Sequence, residues 1–239
     1  MQQNTMTAKE VQKALRKVAT KERAKVNAWF FKTGKGQYGE GDVFIGVTVP
    51  ECRRVARLFR TLPLKEIALL LKSSVHEDRL TALLILVRRY EHAAVLEKQR
   101  IYTFYLRYRK YVNNWDLVDT SASYIVGKHL STFGTDRATL YALVKSKRLW
   151  DRRIAIIATH YFIRQGDFKD TFALSELLSK DTEDLLHKAV GWMLREVGKK
   201  DEKALRAFLS LHKKVLPRTT LRYAIERLSV AQRRFYMKK

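Results

Sequence analysis

Apolar residues recur at spacings of three and four along nearly the whole chain, separated by short polar intervals. Val11, Leu15 and Val18 carry a helix predicted over residues 8–31, closed by the aromatic cluster Trp29, Phe30 and Phe31. The loop KTGKGQYGEGD follows, with Gly34, Gly36, Gly39 and Gly41, and Pro50 suits the first turn of the next helix, ECRRVARLF. From Leu64 onward the pattern predicts paired helices: 64–72 with 77–90, 93–110 with 114–127, 135–145 with 149–165, 169–179 with 182–198, and 201–214 with 217–228. The final stretch, AQRRFYMKK, reads as a basic end that frays.

The second helices of these pairs align with one another. RLTALLIL, WDLVDTSA, RRIAIIAT, LHKAVGWM and LRYAIERL superpose so that one slot falls at Ala82, Asp119, Ala155, Ala189 and Ala224, at intervals of 37, 36, 34 and 35 residues. A period of that length is the mark of stacked helical hairpins of the HEAT or tetratricopeptide type. The expected fold is an all-α, right-handed solenoid in one domain over 1–239, with N-terminal helices in 1–60, repeats over about 64–228 and a basic tail at 229–239. Four alanines in the slot imply a crowded helix crossing. A carboxylate there bears a desolvation cost that a purely structural position would avoid.

Composition supports the helical reading. Glycine (10) and proline (3) are scarce in 239 residues, and 46% hydrophobic content supplies an ample core. Charge adds something new: 48 Lys and Arg against 24 Asp and Glu leave a net charge of +24. Solubility needs a magnitude of only about 2 to 8, so a polyanionic partner is expected. The cations are spread through every repeat, unlike a juxtamembrane cluster. The longest apolar run, Leu80 to Val87, is eight residues and includes Thr81, too short for a membrane span. One cysteine, Cys52, and an N-terminus without a basic-then-apolar signal pattern lead to the expectation of a cytoplasmic protein.

Several familiar chemistries find no support. Gly34, Gly36 and Gly39 spell G-x-G-x-x-G, but a helix precedes them where a nucleotide site needs a strand. The six histidines, at 76, 92, 129, 160, 187 and 212, never fall three or four apart, so no metal site is expected. No cofactor is expected either.

The segment NNWDLVD places Trp115, Asp116 and Asp119 at the start of a second helix, with Asp116 and Asp119 on one face. Asp116 reads best as a capping or dipole-complementing residue at the helix N-terminus. Asp119 sits in the slot, where the plain alternative is a buried carboxylate held by an arginine. Trp150 and Arg153 open another second helix, and Trp192 lies three residues past its slot. Taken singly each tryptophan reads as core. Grouped around an intrusive aspartate in a strongly basic chain, they read as a site. Lys188, Arg195, Arg218 and Arg222 are the expected phosphate contacts nearby.

One carboxylate, indole faces and basic residues suit the hydrolysis of an N-alkylated purine nucleotide. Alkylation already makes the base a cationic leaving group, so no strong general acid is needed. A preorganised carboxylate stabilises the positive charge that builds on the sugar, and indole faces attract cations.

The same residues carry a resemblance. GQYGEGDVFIGVTVPECRR, NNWDLVD, LWDRRIAI and KAVGWMLRE, spread nearly end to end, make the chain similar to the AlkD-like DNA alkylation repair glycosylases. The resemblance implies Asp119 as the catalytic carboxylate, Trp115 and Trp192 as aromatic walls beside the lesion, and Arg153 as a phosphate or active-site contact. It implies backbone contacts at Thr48 and Arg53, and a grip on double-stranded DNA containing alkylated purines without a deep pocket for a flipped base. One departure falls at Thr48 and Val49, where the family pattern has a polar residue followed by threonine. The expected state is a monomer. The rival readings are a non-catalytic relative that binds branched or distorted DNA, and a HEAT scaffold for an acidic protein.

Overall fold

The first helix begins where its sequence supplies a cap. In the computed structural model, which describes residues 6–134 and 136–238, the Thr7 hydroxyl accepts the backbone N–H of Glu10 while the Glu10 carboxylate accepts that of Thr7. This starts α1 (Ala8–Arg16), which buries Val11 and Leu15. The single helix predicted over 8–31 is broken: Thr20 caps a separate α2 (Lys21–Phe30). The first five residues, Thr135 at the start of an expected helix, and the tail residue at 239 lie outside the described residues.

The remaining helices are α3 (Val49–Leu58), α4 (Leu64–Leu71), α5 (His76–His92), α6 (Val95–Tyr108), α7 (Trp115–Asp119), α8 (Lys128–Thr132), α9 (Ala138–Val144), α10 (Leu149–Arg164), α11 (Lys169–Leu177), α12 (Asp184–Lys200), α13 (Glu202–His212), α14 (Arg218–Ala224) and α15 (Val230–Met237). The fold is all-α, as the periodicity predicts. Among the described residues the extended backbone pairs only at Val43 with Val75. Pro50, Pro63 and Pro217 stand at helix starts, where a missing N–H costs nothing. The tail expected to fray is instead α15. Ser229 and Gln232 form a capping box there, and Tyr236 is buried.

Contacts divide the chain into two compact units, Met1–Ser121 and Ala122–Lys239. In the first, α3 and α4 pack on α5, with α1 across them. In the second, α10 packs on α9 and α12, and α12 on α13 and α14. The alanine slot is as crowded as its composition implies: Ala82, Ala155, Ala189 and Ala224 are each at most 1% exposed. Two residues past Ala189, a Cβ on Gly191 would come within 2.6 Å of the Thr220 carbonyl, so α12 and α14 cross almost backbone to backbone.

The hairpin turns reuse one clasp. The Ser73 hydroxyl donates to Asp78 at 2.7 Å and accepts the Val75 N–H, while Arg79 donates to the Ser73 carbonyl. Two repeats on, Ser146, Asp151 and Arg152 make the same three bonds, with Arg148 N–H in place of Val75. The aspartate and arginine stand four and three residues before the slot. In the repeat between, those positions hold Trp115 and Asp116, and the slot holds Asp119. The repeat has therefore exchanged its clasp and its slot alanine together.

Candidate functional site

α7 is five residues long, too short to hold its own direction by helical hydrogen bonding. Its position comes from tethers. The Asn114 side-chain oxygen accepts the Trp115 N–H at 2.8 Å, and Asn114, not Asp116, is the cap. Asp116 turns inward instead, and its carboxylate lies 2.8 Å from Nε2 of His76 at the start of α5. The other ring nitrogen of His76 meets Asp42 at 2.9 Å, Arg79 donates to the second Asp42 oxygen, and Asn114 donates to Asp42 at 3.1 Å. His76 is 1% exposed. Burial alone would strip its proton, but the charge of Asp116 and hydrogen bonds to Asp116 and Asp42 lift its pKa to about 9. Asp42 is held below the usual carboxylate range: burial pushes it up, and His76, Arg79 and Asn114 more than offset that. Both nitrogens of His76 are committed to carboxylates, which leaves no imidazole lone pair for a metal.

The same cluster secures the glycine-containing loop. Glu77, next on α5, accepts the backbone N–H groups of Ile45, Gly46 and Val47 at 2.9 to 3.2 Å. Gly46 has φ +84°, and a Cβ there would meet the Thr20 carbonyl oxygen at 2.0 Å, so the loop lies directly against the start of α2. The loop delivers Thr48 to the N-terminus of α3. Its hydroxyl makes no capping hydrogen bond there, and Arg53 one turn on is exposed.

Aromatic rings complete the setting of Trp115. Its ring stacks on Phe31 at 5.3 Å, Phe31 on Phe44 at 4.9 Å, and Phe44 on His76 at 4.5 Å, while Phe30 meets Trp115 edge-on. Of the aromatic cluster expected at 29–31, Phe31 enters this stack and Trp29 does not; Trp29 is 81% exposed.

Asp119 ends α7. Unlike the four buried alanines, it is partly exposed. The chain beyond it departs from regular α-helix, because the Thr120 and Ser121 hydroxyls donate back to the carbonyls of Asp116 and Leu117 at 2.7 and 2.5 Å. A π-helical turn over Ser123–Gly127 follows before α8 resumes, replacing the single helix predicted over 114–127. Such turns interrupt the ladder and redirect side chains.

In the second unit the expected site residues are placed less uniformly. Trp192 on α12 is partly exposed, its indole N–H donating to Glu196 at 3.0 Å, with His160 beside its ring. Trp150 is partly exposed on the first turn of α10. Arg153, expected at a phosphate, is 5% exposed and donates to the Leu185 carbonyl at the start of α12. Its guanidinium serves the packing of two helices. Lys188 pairs with Asp184 at 2.8 Å, Arg195 with Glu226, and Arg218 donates to the Met237 carbonyl at 2.8 Å. Arg222 is exposed on α14.

Sequence reasoning missed Asp42, His76, Glu77 and Arg79. They lie far from α7 in the chain, and a histidine without a spaced partner carries no pattern. The HED-R run at the start of α5, with four ionisable residues opening an otherwise apolar helix, was the available signal.

With this geometry in hand, comparison with known proteins is consistent along the chain. The sequence profile of the family described as DNA alkylation repair enzyme matches residues 11–228. A solved structure described as a predicted DNA alkylation repair enzyme from Enterococcus faecalis superposes with a TM-score of 0.71 at 18% identity, covering 89% of this chain and 97% of that one. No curated protein matches. The chain belongs to the DNA alkylation repair enzyme family, and its role lies in alkylation repair.

Proposed function

We propose that the protein is a DNA glycosylase that releases cationic N3- and N7-alkylpurines from duplex DNA. The bond between sugar and base breaks with its electron pair leaving on the base, which departs neutral because alkylation had made it cationic. Water adds at the sugar carbon and gives up a proton. Asp119 stabilises the positive charge on the sugar as the bond opens and orients the water. Trp115 and Trp192 offer indole faces to the cationic substrate. Thr48, Arg53, Trp150, Lys188, Arg195, Arg218 and Arg222 serve the DNA strands, Lys188, Arg195 and Arg218 by exchanging their present partners for phosphates. Arg153 acts by holding α10 to α12, the helix that bears Trp192.

The observation that carries this reading is Asp119: a partly exposed carboxylate in a slot otherwise filled by buried alanine, on a helix fixed by Asn114 and Asp116. Electrostatic catalysis needs a charge already in position, because a mobile carboxylate would spend its interaction on reorganisation. A carboxylate at the C-terminal end of a helix faces the negative end of the helix dipole, so the dipole does not favour Asp119 there. Incubation with methylated duplex DNA tests the reading by release of free 3-methyladenine and 7-methylguanine. Duplex binding without release would favour a non-catalytic relative.

A further inference from the structure

We propose that His76 is a positioning residue for base excision: bonded at both ring nitrogens, it ties the loop at Asp42 to α7 and fixes the direction in which Trp115 and Asp119 leave that helix. The inference rests on the glycosylase reading. His76 is not a catalytic residue, since it is buried and its ring nitrogens are both occupied.

His76 reaches α7 by two routes. One is the 2.8 Å bond from Nε2 to Asp116, one helical turn before Asp119. The other is the ring stack through Phe44 and Phe31 to Trp115. A five-residue helix held at these points follows any change at His76. The charge count explains why histidine suits this place. From the loop comes Asp42, from α7 Asp116, and from α5 itself Arg79; Glu77 spends its carboxylate on the loop N–H groups, and Asp78 on Ser73 and Gln12. With His76 protonated, two buried cations balance two buried carboxylates. With His76 neutral, one carboxylate is left uncompensated, which in a buried site is strongly unfavourable. The pKa of about 9 is consistent with a ring charged at neutral pH.

The same reasoning accounts for the neighbouring glycine loop. The Asp42 side of the ring anchors the segment that Glu77 straps down and that ends at Thr48. His76 therefore joins the segment expected at the DNA backbone to the helix expected at the lesion, both within the first unit.

The test is single-turnover excision at saturating enzyme from pH 6 to 10, for wild type, Asp116→Asn and His76→Gln, with duplex affinity and urea unfolding measured on each. Asp116→Asn keeps the shape and an acceptor for Nε2–H but removes the charge. Its neutral-pH rate should fall about 10-fold, with affinity for undamaged duplex within about twofold. The upper limb of its pH profile should move down by about one unit, because the ring has lost a carboxylate partner. A residue that only filled space would not move that limb. Should the variants unfold, ¹⁵N chemical shifts of the wild-type imidazoles decide: His76 protonated on both nitrogens at pH 7.5 supports the proposal, and a neutral ring overturns it. Active wild type with unchanged rate and limb in both folded variants overturns the inference alone. A wild type that releases no alkylpurine overturns the glycosylase reading and the inference with it.

Discussion

Asp116 and Asp119 stand three residues apart on α7, and their carboxylates have opposite surroundings. Asp116 is buried against His76, whereas Asp119 is partly open to solvent. Spacing alone put them on one helix face and suggested that Asp116 was a cap. The fold gives the cap to Asn114 and uses Asp116 as a tether, which leaves Asp119 as the more exposed of the two carboxylates.

The tether has a signature in stability. The folded-state pKa of His76 is raised from 6.5 to about 9, so the folded chain holds this proton more tightly than the unfolded one. The stabilisation is complete below pH 6.5 and is lost as pH rises through 9. Burial depresses the pKa values of His129 and His160, and their effect falls below 6.5; the buried Cys52 thiol, pushed up to about 12, acts only above 9. Urea midpoints should therefore fall between pH 6.5 and 9 in wild type, and His76→Gln should flatten that slope. An equal slope in the variant would remove His76 as its source.

The loop should be intolerant of a side chain at one glycine and tolerant at another. Gly46→Ala combines φ +84° with a Cβ 2.0 Å from the Thr20 oxygen and 2.6 Å from the Ala24 nitrogen, and should cost roughly 3 kcal/mol. Gly36→Ala has φ +74° but no atom within 4 Å, and should cost only about 1 kcal/mol. Chemical denaturation of the two variants checks the difference, and equal losses would contradict the close approach of loop and α2.

Arg153 should report on packing. Removing its buried guanidinium takes away the hydrogen bond that joins α10 to the Leu185 carbonyl of α12, and Arg153→Ala should lose about 1 to 3 kcal/mol of stability. The salt dependence of DNA binding should stay as in wild type. A stable variant whose log–log salt slope is shallower by about one unit would show instead a direct phosphate contact.

On the proposed reading, net charge sets the affinity for DNA as a whole. Binding of undamaged duplex should weaken with salt at a slope of about −0.9 per phosphate, with roughly four to eight contacts. Fluorescence anisotropy over a salt series measures the slope. A salt-insensitive interaction, or none at low salt, would remove DNA as the partner.

Much of the fold was legible because helical burial leaves a period, and the slot at Ala82, Ala155, Ala189 and Ala224 marks where backbones cross. Asp119 and Trp115 could be singled out because they break that period. Two kinds of feature were not legible. The breaks at Lys17–Thr20 and after Asp119 come from side-chain hydroxyls competing for backbone groups, a local effect that leaves the apolar pattern intact. The cluster of Asp42, His76 and Asp116 joins residues 34 and 40 positions apart, and only the fold brings them together. Arg153 shows a related limit: a guanidinium looks the same in sequence at a phosphate or at a carbonyl, and its bond to the Leu185 carbonyl is seen only in the fold.

The central claim rests on the charge of Asp119, and Asp119→Asn removes that charge at almost constant shape. In a single-turnover release assay on methylated duplex, run beside a binding titration on the same DNA, excision should fall about 10²- to 10³-fold, the scale of losing one preorganised electrostatic group. Duplex affinity should hold or rise slightly, since a negative charge near the phosphates has gone. Wild-type excision by Asp119→Asn would contradict the account and leave the carboxylate as a structural exception in its repeat.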